Sequence, residues 1–188
     1  MSFFETARQF LTLGFTHVIP FGFDHILFIL CLFLTGSNTR NLVIMCTVFT
    51  VAHSISLGLA ATSYISINTK ITEPLIALSI LVASIQNIVT KKVTHWRLFL
   101  VFIFGLIHGL GFAGALNAAG LTGDHFISSL LLFNVGVELG QIAVIIAAYF
   151  LIGKWFAKKT WYQEKVVYPL SSIIACIALY WLIERILQ

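Results

Sequence analysis

The residues of this chain that could do chemistry are a few histidines and carboxylates set inside or beside long apolar stretches. An ionisable group at membrane depth costs several kcal/mol unless it is paired, hydrated or bound to an ion. Imidazole and carboxylate ligands suit divalent ions such as nickel, cobalt and zinc, whereas copper(I) prefers sulfur. We therefore predict a metal site drawn from His17, Asp24, His25, His53, His108 and Glu138.

The first group of these residues is His17, Asp24 and His25. In a continuous helix their separations of seven and eight residues would place them on one face. Pro20 and Gly22 between them predict a bent or interrupted connection instead. Asp24 either caps the helix that begins at "HILFIL", contributes to the metal site, or does both.

His53 lies in the middle of "TVFTVAHSISLGLAA", with Thr50 and Ser54 nearby. A buried histidine of this kind is either a structural hydrogen-bond donor between helices, a metal ligand or a proton relay. The presence of other buried histidines favours the two functional interpretations.

His108 is enclosed by glycines in "FGLIHGLGFAGAL". Glycine lets another helix or a substrate approach the backbone closely, and it also permits a break at membrane depth. Helix packing explains the glycines but not the histidine among them. The glycines that we predict to serve packing or hinge roles are Gly22, Gly105, Gly109, Gly111, Gly136 and Gly140.

Asn134, Glu138 and Gln141 are spaced i, i+4, i+7 and form a polar stripe on an otherwise apolar helix. Glu138 has no basic residue near it in its stretch, so it is protonated, paired with a histidine of another helix, or bound to a cation. The alternative is a stripe that only holds helices together. We expect Asn134 and Gln141, with Thr50 and Ser54, to line a transport pathway and to meet the metal site in one cavity.

The composition requires a membrane. Of 188 residues, 59% are hydrophobic and 10% are charged, against about 25% charged residues in soluble domains. We predict one all-α transmembrane domain over residues 1–188, preceded by an interfacial or re-entrant segment. Its six helices are predicted at about 22–36, 41–62, 72–90, 97–117, 126–152 and 166–187.

The basic residues predict an orientation. Eight lie in or beside the first, third and fifth loops: Arg40, Lys91, Lys92, Arg97, Lys154, Lys158, Lys159 and Lys165. The opposite side carries only Arg8, Lys70 and Arg185. The positive-inside rule therefore puts both termini outside the plasma membrane, the inner membrane if the cell is bacterial. The positive net charge reports topology here and does not indicate nucleic-acid binding.

The chain also carries a candidate internal repeat. A shift of 84 residues pairs Asp24 with His108, Phe49 with Phe133 and Thr50 with Asn134, among other positions. Each half then has three helices, so the halves would have opposite orientations, as in inverted-repeat transporters. Chance similarity between apolar sequences is the alternative.

Five segments resemble, in order and spacing, the signatures of the HupE/UreJ family of small membrane proteins associated with hydrogenase and urease systems. They are "FTHVIPFGFDHILFILCLFL", "TVFTVAHSISLGLAA", "EPLIALSI", "FGLIHGLGFAGAL" and "LLFNVGVELGQ". The resemblance implies six transmembrane helices and handling of nickel or cobalt by His17, Asp24 and His25. It also points to His53, His108 and Glu138. Six residues, "VIPFGF", separate His17 from Asp24, where hydrogenase-linked members have five.

We therefore expect a permease for a divalent transition metal, with nickel first and cobalt or zinc next, rather than an enzyme. Its expected partners are the metal ion, the bilayer, a second copy of the chain or metalloenzyme-maturation proteins. One alternative is an intramembrane zinc hydrolase with Glu138 as general base, although no HExxH motif is present. The other is a structural or accessory membrane protein. No GxxxxGK[ST] motif is present, so uphill transport would draw on an ion gradient or another subunit.

Overall fold

The computed structural model describes residues 3–36, 38–65, 68–90, 95–118 and 126–188, and the regular elements in these ranges are all helical. The α-helices are α1 Phe3–Val18, α2 Phe23–Leu34, α3 Thr39–Ala61, α4 Thr69–Val89, α5 His95–Ala118, α6 Phe126–Ala148, α7 Lys154–Phe156 and α8 Tyr168–Leu187. A π-helical turn at Tyr149–Gly153 joins α6 to α7, and another at Gln163–Val167 leads into α8.

Five helical segments of the described chain are long and apolar enough to cross a membrane: Thr39–Ala61, Thr69–Val89, Trp96–Gly114, Phe126–Phe156 and Gln163–Leu187. The pair α1 and α2 makes a sixth if it counts as one bent span. This confirms the predicted polytopic helical bundle. Two helical segments begin three residues earlier than the sequence suggested, at Thr69 and Gln163.

The first span is broken in the middle. α1 and α2 meet at an angle of 66°. α2 has 12 residues and a length of about 18 Å, too short to cross an apolar core of about 30 Å by itself. The predicted span 22–36 therefore forms a unit with the predicted interfacial or re-entrant segment, α1, and this bent pair is either one broken span or a re-entrant loop.

The chain at the break keeps its backbone partly hydrogen-bonded. The Gly22 amide donates to the Val18 carbonyl at 3.2 Å, and the Phe21 amide donates to the Thr16 carbonyl at 3.3 Å. A Cβ atom on Gly22 would overlap the His17 carbonyl oxygen. Glycine is therefore needed for the turn that brings the start of α2 back against the end of α1.

The helices pack mainly as three pairs, α3 with α5, α1 with α6, and α4 with α8. Gly105 and Gly109 bring the α5 backbone against Phe49, Ala52 and Ser56 of α3. Because glycine has no side chain, these two positions let the helices come closer than larger residues would allow.

Gly136 and Gly140 bring α6 against α1 in the same way, at Leu11, Phe15 and Val18. These glycines lie 84 residues after Ala52 and Ser56. With the same offset α3 corresponds to α6, and the first span corresponds to α5. The packed pair α3–α5 therefore corresponds to the pair of α6 with the first span. The packing thus agrees with the 3+3 repeat suggested by the sequence.

The two membrane faces differ in what they carry. Lys70 Nζ donates to the Gln188 carbonyl at 3.0 Å, and Arg185 pairs with Glu73 at 3.2 Å, so the start of α4 and the end of α8 share one face. We call it the terminal face. The opposite face, where α3 and α5 begin, carries Arg40 and is called the basic face.

Near the basic face a buried polar node joins four segments of the chain. Arg97 Nη2 donates to Asn87 Oδ1 at 2.7 Å, and Asn87 Nδ2 donates to the Cys31 carbonyl at 2.8 Å. Gln163 Nε2 donates to the Asn87 carbonyl at 3.2 Å. This node ties α5, α4, α2 and the turn before α8 together without any carboxylate.

A candidate metal centre

Four histidines from four helices meet inside the bundle. The ring centroids of His17 and His25 are 4.6 Å apart, and those of His25 and His108 are 5.1 Å apart. His53 lies 5.8 Å from His17 and 5.9 Å from His25 by the same measure. His25, His53 and His108 are buried and His17 is half-buried. We call these four side chains the histidine cluster.

Asp24 orients the His25 ring. Its Oδ1 atom accepts a hydrogen bond from the His25 backbone amide at 2.8 Å and lies 3.1 Å from His25 Nδ1. A carboxylate at Nδ1 favours the tautomer that carries its proton there, and this leaves Nε2 free to bind a metal. Asp24 thus satisfies an amide of the first turn of α2 and orients a cluster histidine at once.

A backbone carbonyl does the same for His108. His108 Nδ1 lies 2.7 Å from the carbonyl oxygen of Phe104, one turn earlier on α5. Since a carbonyl oxygen can only accept, Nδ1 carries the proton and Nε2 has the free electron pair.

The nitrogen atoms left over in the cluster have no hydrogen-bond partner within the described chain. They are His17 Nε2, His25 Nε2, His108 Nε2 and both ring nitrogens of His53, all buried. Buried polar atoms in folded proteins nearly always have a partner. Each of four converging rings thus has at least one such nitrogen, which indicates a ligand that accepts nitrogen electron pairs.

The cluster geometry suits a transition metal ion. One ligand atom from each of His17, His25 and His53 lies within 4.8 Å of the other two. Three atoms 4.8 Å apart lie about 2.8 Å from their common centre, whereas metal–nitrogen bonds are about 2.0–2.1 Å long. An ion would need the three rings to move by only a fraction of an ångström. Uncharged imidazoles favour nickel, cobalt or zinc over magnesium or calcium.

Aromatic side chains surround the histidine cluster. Phe112 contacts His17 with the two rings tilted by 42° and their centroids 3.9 Å apart, and the ring centroid of Phe49 lies 5.1 Å from that of His108. Phe133 lies 5.6 Å from His17. These rings come from α5, α3 and α6 and cover part of the cluster from its sides.

Glycines set the spacing of the backbones that carry the cluster. A Cβ atom on Gly109 would overlap the His53 carbonyl oxygen and the Ser56 hydroxyl, so only glycine lets α5 approach α3 at this level. Gly22 permits the turn before Asp24. A Cβ atom on Gly111 would lie 3.3 Å from the Ile76 side chain of α4, so this glycine is less constrained.

The predicted polar set divides into two groups. Glu138 lies outside the histidine cluster, in the interface between α3 and α6. Its Oε1 accepts a hydrogen bond from the Thr47 hydroxyl at 2.8 Å, and its Oε2 lies 2.5 Å from the Thr50 hydroxyl. Gln141 Oε1 lies 3.1 Å from the same Thr50 hydroxyl. We call these four residues the oxygen cluster.

The remaining predicted pathway residues lie between or beside the two groups. The Asn134 amide lies beside the His53 ring, and its Nδ2 donates to the Leu130 carbonyl at 2.8 Å. Asn134 Oδ1 is buried without a partner in the described residues. Ser54 is half-buried and donates to the Thr50 carbonyl of its own helix at 2.7 Å.

Two kinds of residue were missed at the level of sequence. Phe112 lies four residues after His108 and Thr47 lies three residues before Thr50, so helical spacing alone could have pointed to both. Phe49 and Phe133 were noticed only as a matching pair in the repeat. Nothing in their apolar surroundings distinguishes them from ordinary core residues.

The comparison with protein families gives one result, which covers nearly the whole chain. A family model described as HupE / UreJ protein matches residues 2–185. Neither the curated proteins nor the solved structures compared with the chain include a match.

Proposed function

The chain belongs to the HupE/UreJ family, and from this membership we propose that it is a membrane permease for a divalent transition metal ion, with nickel the first candidate and cobalt the next. The observation that carries the proposal is the set of buried ring nitrogens without partners in the histidine cluster. The family name suggests the metal, and the nitrogen-only donor set agrees with it.

In the proposed mechanism the ion binds one ring nitrogen from each of His17, His25 and His53, whose ligand atoms lie within 4.8 Å of one another, and is completed by His108 and water. Transport needs a site that binds and also releases, so water in the coordination shell suits it better than a closed cage. Asp24 does not bind the ion. It holds the His25 ring so that Nε2 faces the cluster.

The break in the first span gives the site a way to open. His17 and His25 lie on opposite sides of the break, whereas His53 and His108 lie on helices without one. A change in the angle between α1 and α2 would therefore move two ligands relative to the other two. Such a movement weakens coordination without disturbing the packing of α3 on α5.

The proposal extends to location and partners. We infer that the terminal face is outside and the basic face inside the plasma membrane, the inner one in a bacterium. The ion would then leave towards the cytoplasm, where metalloenzyme-maturation proteins could receive it. Assembly of the chain with a second copy is compatible with this function.

The test is metal uptake into proteoliposomes with purified protein, comparing nickel, cobalt and zinc. His25→Ala and His108→Ala should each abolish uptake while the protein stays folded by circular dichroism. His95→Ala is the matched control, because His95 begins α5, about 20 Å along the helix from His108. Undiminished uptake in both cluster variants would contradict the proposal. A stoichiometric zinc that survives purification, without any flux, would favour the intramembrane hydrolase instead.

A further inference from the structure

The oxygen cluster is chemically unlike the histidine cluster. Its polar atoms are the two carboxylate oxygens of Glu138, the hydroxyls of Thr47 and Thr50, and the side-chain carbonyl of Gln141. It offers no imidazole and no thiolate to an ion. Oxygen donors of this kind bind protons or hard cations in preference to nickel or cobalt.

The Thr50 hydroxyl faces two acceptors with only one proton of its own. Its Oγ1 lies 2.5 Å from Glu138 Oε2 and 3.1 Å from Gln141 Oε1. If Glu138 is ionised, the single hydroxyl proton can satisfy only one of the two oxygens. If Glu138 is protonated, its own O–H donates to Thr50 and the Thr50 O–H donates to the buried Gln141. Both contacts are then hydrogen bonds.

The surroundings of Glu138 in the described residues provide no basic partner. The ion pairs found in the described chain are His25–Asp24 and Arg185–Glu73, and neither involves Glu138. Its helix neighbour Leu139 is exposed on the outside of the bundle, as is Val51 on α3. An ionised carboxylate at such an edge of the membrane core would lack a counter-charge.

Few titratable groups among the described residues face Glu138. The one on α3 is the buried Cys46 thiol. Two other helices that pack against α6 are α1 and α2. Their groups near this level are His17 and His25, which belong to the histidine cluster, and Asp24, which contacts His25. The remaining charged residues of α1 lie near its start. The protonation of Glu138 is therefore set by the threonines, by Gln141 and by any charge in the histidine cluster.

We propose that Glu138 is a proton-binding site that couples metal passage to a proton, an inference that rests on the permease function proposed above. Thr50 lies one turn from His53 on α3, and Asn134, beside His53, lies one turn from Glu138 on α6. A divalent cation in the histidine cluster repels the proton on Glu138. The O–H bond of the carboxyl then breaks and water at the half-exposed side chain accepts the proton. By linkage, protonation of Glu138 weakens metal binding by the same factor.

The direct test is infrared difference spectroscopy on the purified full chain, because it detects the protonated carboxyl without any transport. We expect a carboxylic C=O band in the wild-type protein at neutral pH that is absent from Glu138→Gln and present in Glu184→Gln, an exposed acid on the terminal face used as control. Nickel or cobalt should remove this band from the wild-type protein. Thr50→Val should shift the band, because it removes the acceptor of the carboxyl proton, and this variant serves if Glu138→Gln does not fold.

Three results would overturn the proposal. They are a wild-type protein without the band, a band that metal leaves unchanged, and loss of nickel binding in Glu138→Gln, which would make Glu138 a metal ligand. Removal of the band by sodium alone would assign the cluster to that ion instead. If the band is present in the wild-type protein and absent from Glu138→Gln, but titration shows that the protein binds no transition metal, the permease proposal and the coupling fail and the proton site remains.

Discussion

Replacing Asp24 by asparagine tests how the metal site is organised, because this change removes a charge and almost nothing else. In the structure the same atom, Asp24 Oδ1, accepts from the His25 amide and faces His25 Nδ1. The carbonyl oxygen of an asparagine can keep both contacts. What is lost is the negative charge that makes the imidazole a stronger ligand and holds the proton on Nδ1.

The size of the effect follows from this geometry. Changing a carboxylate that supports a metal-binding histidine typically weakens metal binding 10- to 100-fold, or about 1.4–2.7 kcal/mol. Since Asp24→Asn can keep both hydrogen bonds, we expect a loss nearer the tenfold end. Asp24→Ala removes the contacts as well and should approach the hundredfold end. It should also lose about 0.5–2 kcal/mol of stability, because an amide at the start of α2 loses its acceptor.

The assay is calorimetric titration of purified protein with nickel and with cobalt, with folding followed by circular dichroism. A double-mutant cycle isolates the mechanism, because in a His25→Ala background Asp24→Asn should change affinity by less than about twofold. Glu164→Gln, a change of an exposed acid at the start of the last span and away from the histidine cluster, is the control and should leave affinity unchanged.

Two outcomes would refute the reasoning about Asp24. Wild-type affinity in Asp24→Asn would mean that the carboxylate does not organise the site. An equal loss with and without His25 would mean that Asp24 acts on the ion directly, as a ligand or through its charge, and not through the histidine ring.

Three further predictions concern the packing and the pH dependence of the site. Gly109→Ala should separate α5 from α3, lower the free energy of unfolding by about 1–3 kcal/mol and weaken nickel binding. Gly114→Ala is the control, because an added Cβ there meets nothing within 4 Å, and it should change neither the melting temperature nor the nickel affinity. Asn87→Ala should lower the free energy of unfolding by about 1–3 kcal/mol, because Arg97 loses its buried acceptor. The melting temperature should fall while the nickel affinity stays the same, and Gln86→Ala is the adjacent control. Nickel affinity should fall as the pH is lowered, because protons compete with the metal for the neutral imidazoles, and titrations with equal affinity across the acidic range would exclude histidine ligands.

The fold class could be predicted from the sequence because it depends on composition and on the lengths of apolar stretches. The bilayer fixes both quantities, so five spans were found within a few residues of their ends. The bounds of the first span were harder to predict from the sequence. Its apolar sequence runs on both sides of Pro20 and Gly22, and a linear reading cannot tell a short helix with a surface segment from one long span that is bent by 66°.

The members of the candidate site could be found for a different reason, since each is a polar residue in a place that is costly for it. The division of these residues into two separate clusters could not be predicted. Helical spacing says which residues share a face, but it does not say which helix that face meets. Glu138 was therefore grouped with the histidines, although its partners are Thr47 and Thr50 of α3. The pairing of α6 with α1 through Gly136 and Gly140 decides which side of α6 is left for α3.

The geometry of α3 explains why the two clusters are neighbours and yet remain separate. Its residues His53, Thr50 and Thr47 are spaced by three, and each such step turns about 60° around the helix and moves about 4.5 Å along it. Their exposure follows this turn, from 0% for His53 to 8% for Thr50, and Thr47 is exposed. One helix thus presents an imidazole to the centre of the bundle and hydroxyl groups to its edge. A metal ion and a proton can then occupy sites about one turn apart, close enough for their charges to interact but held by different donor atoms.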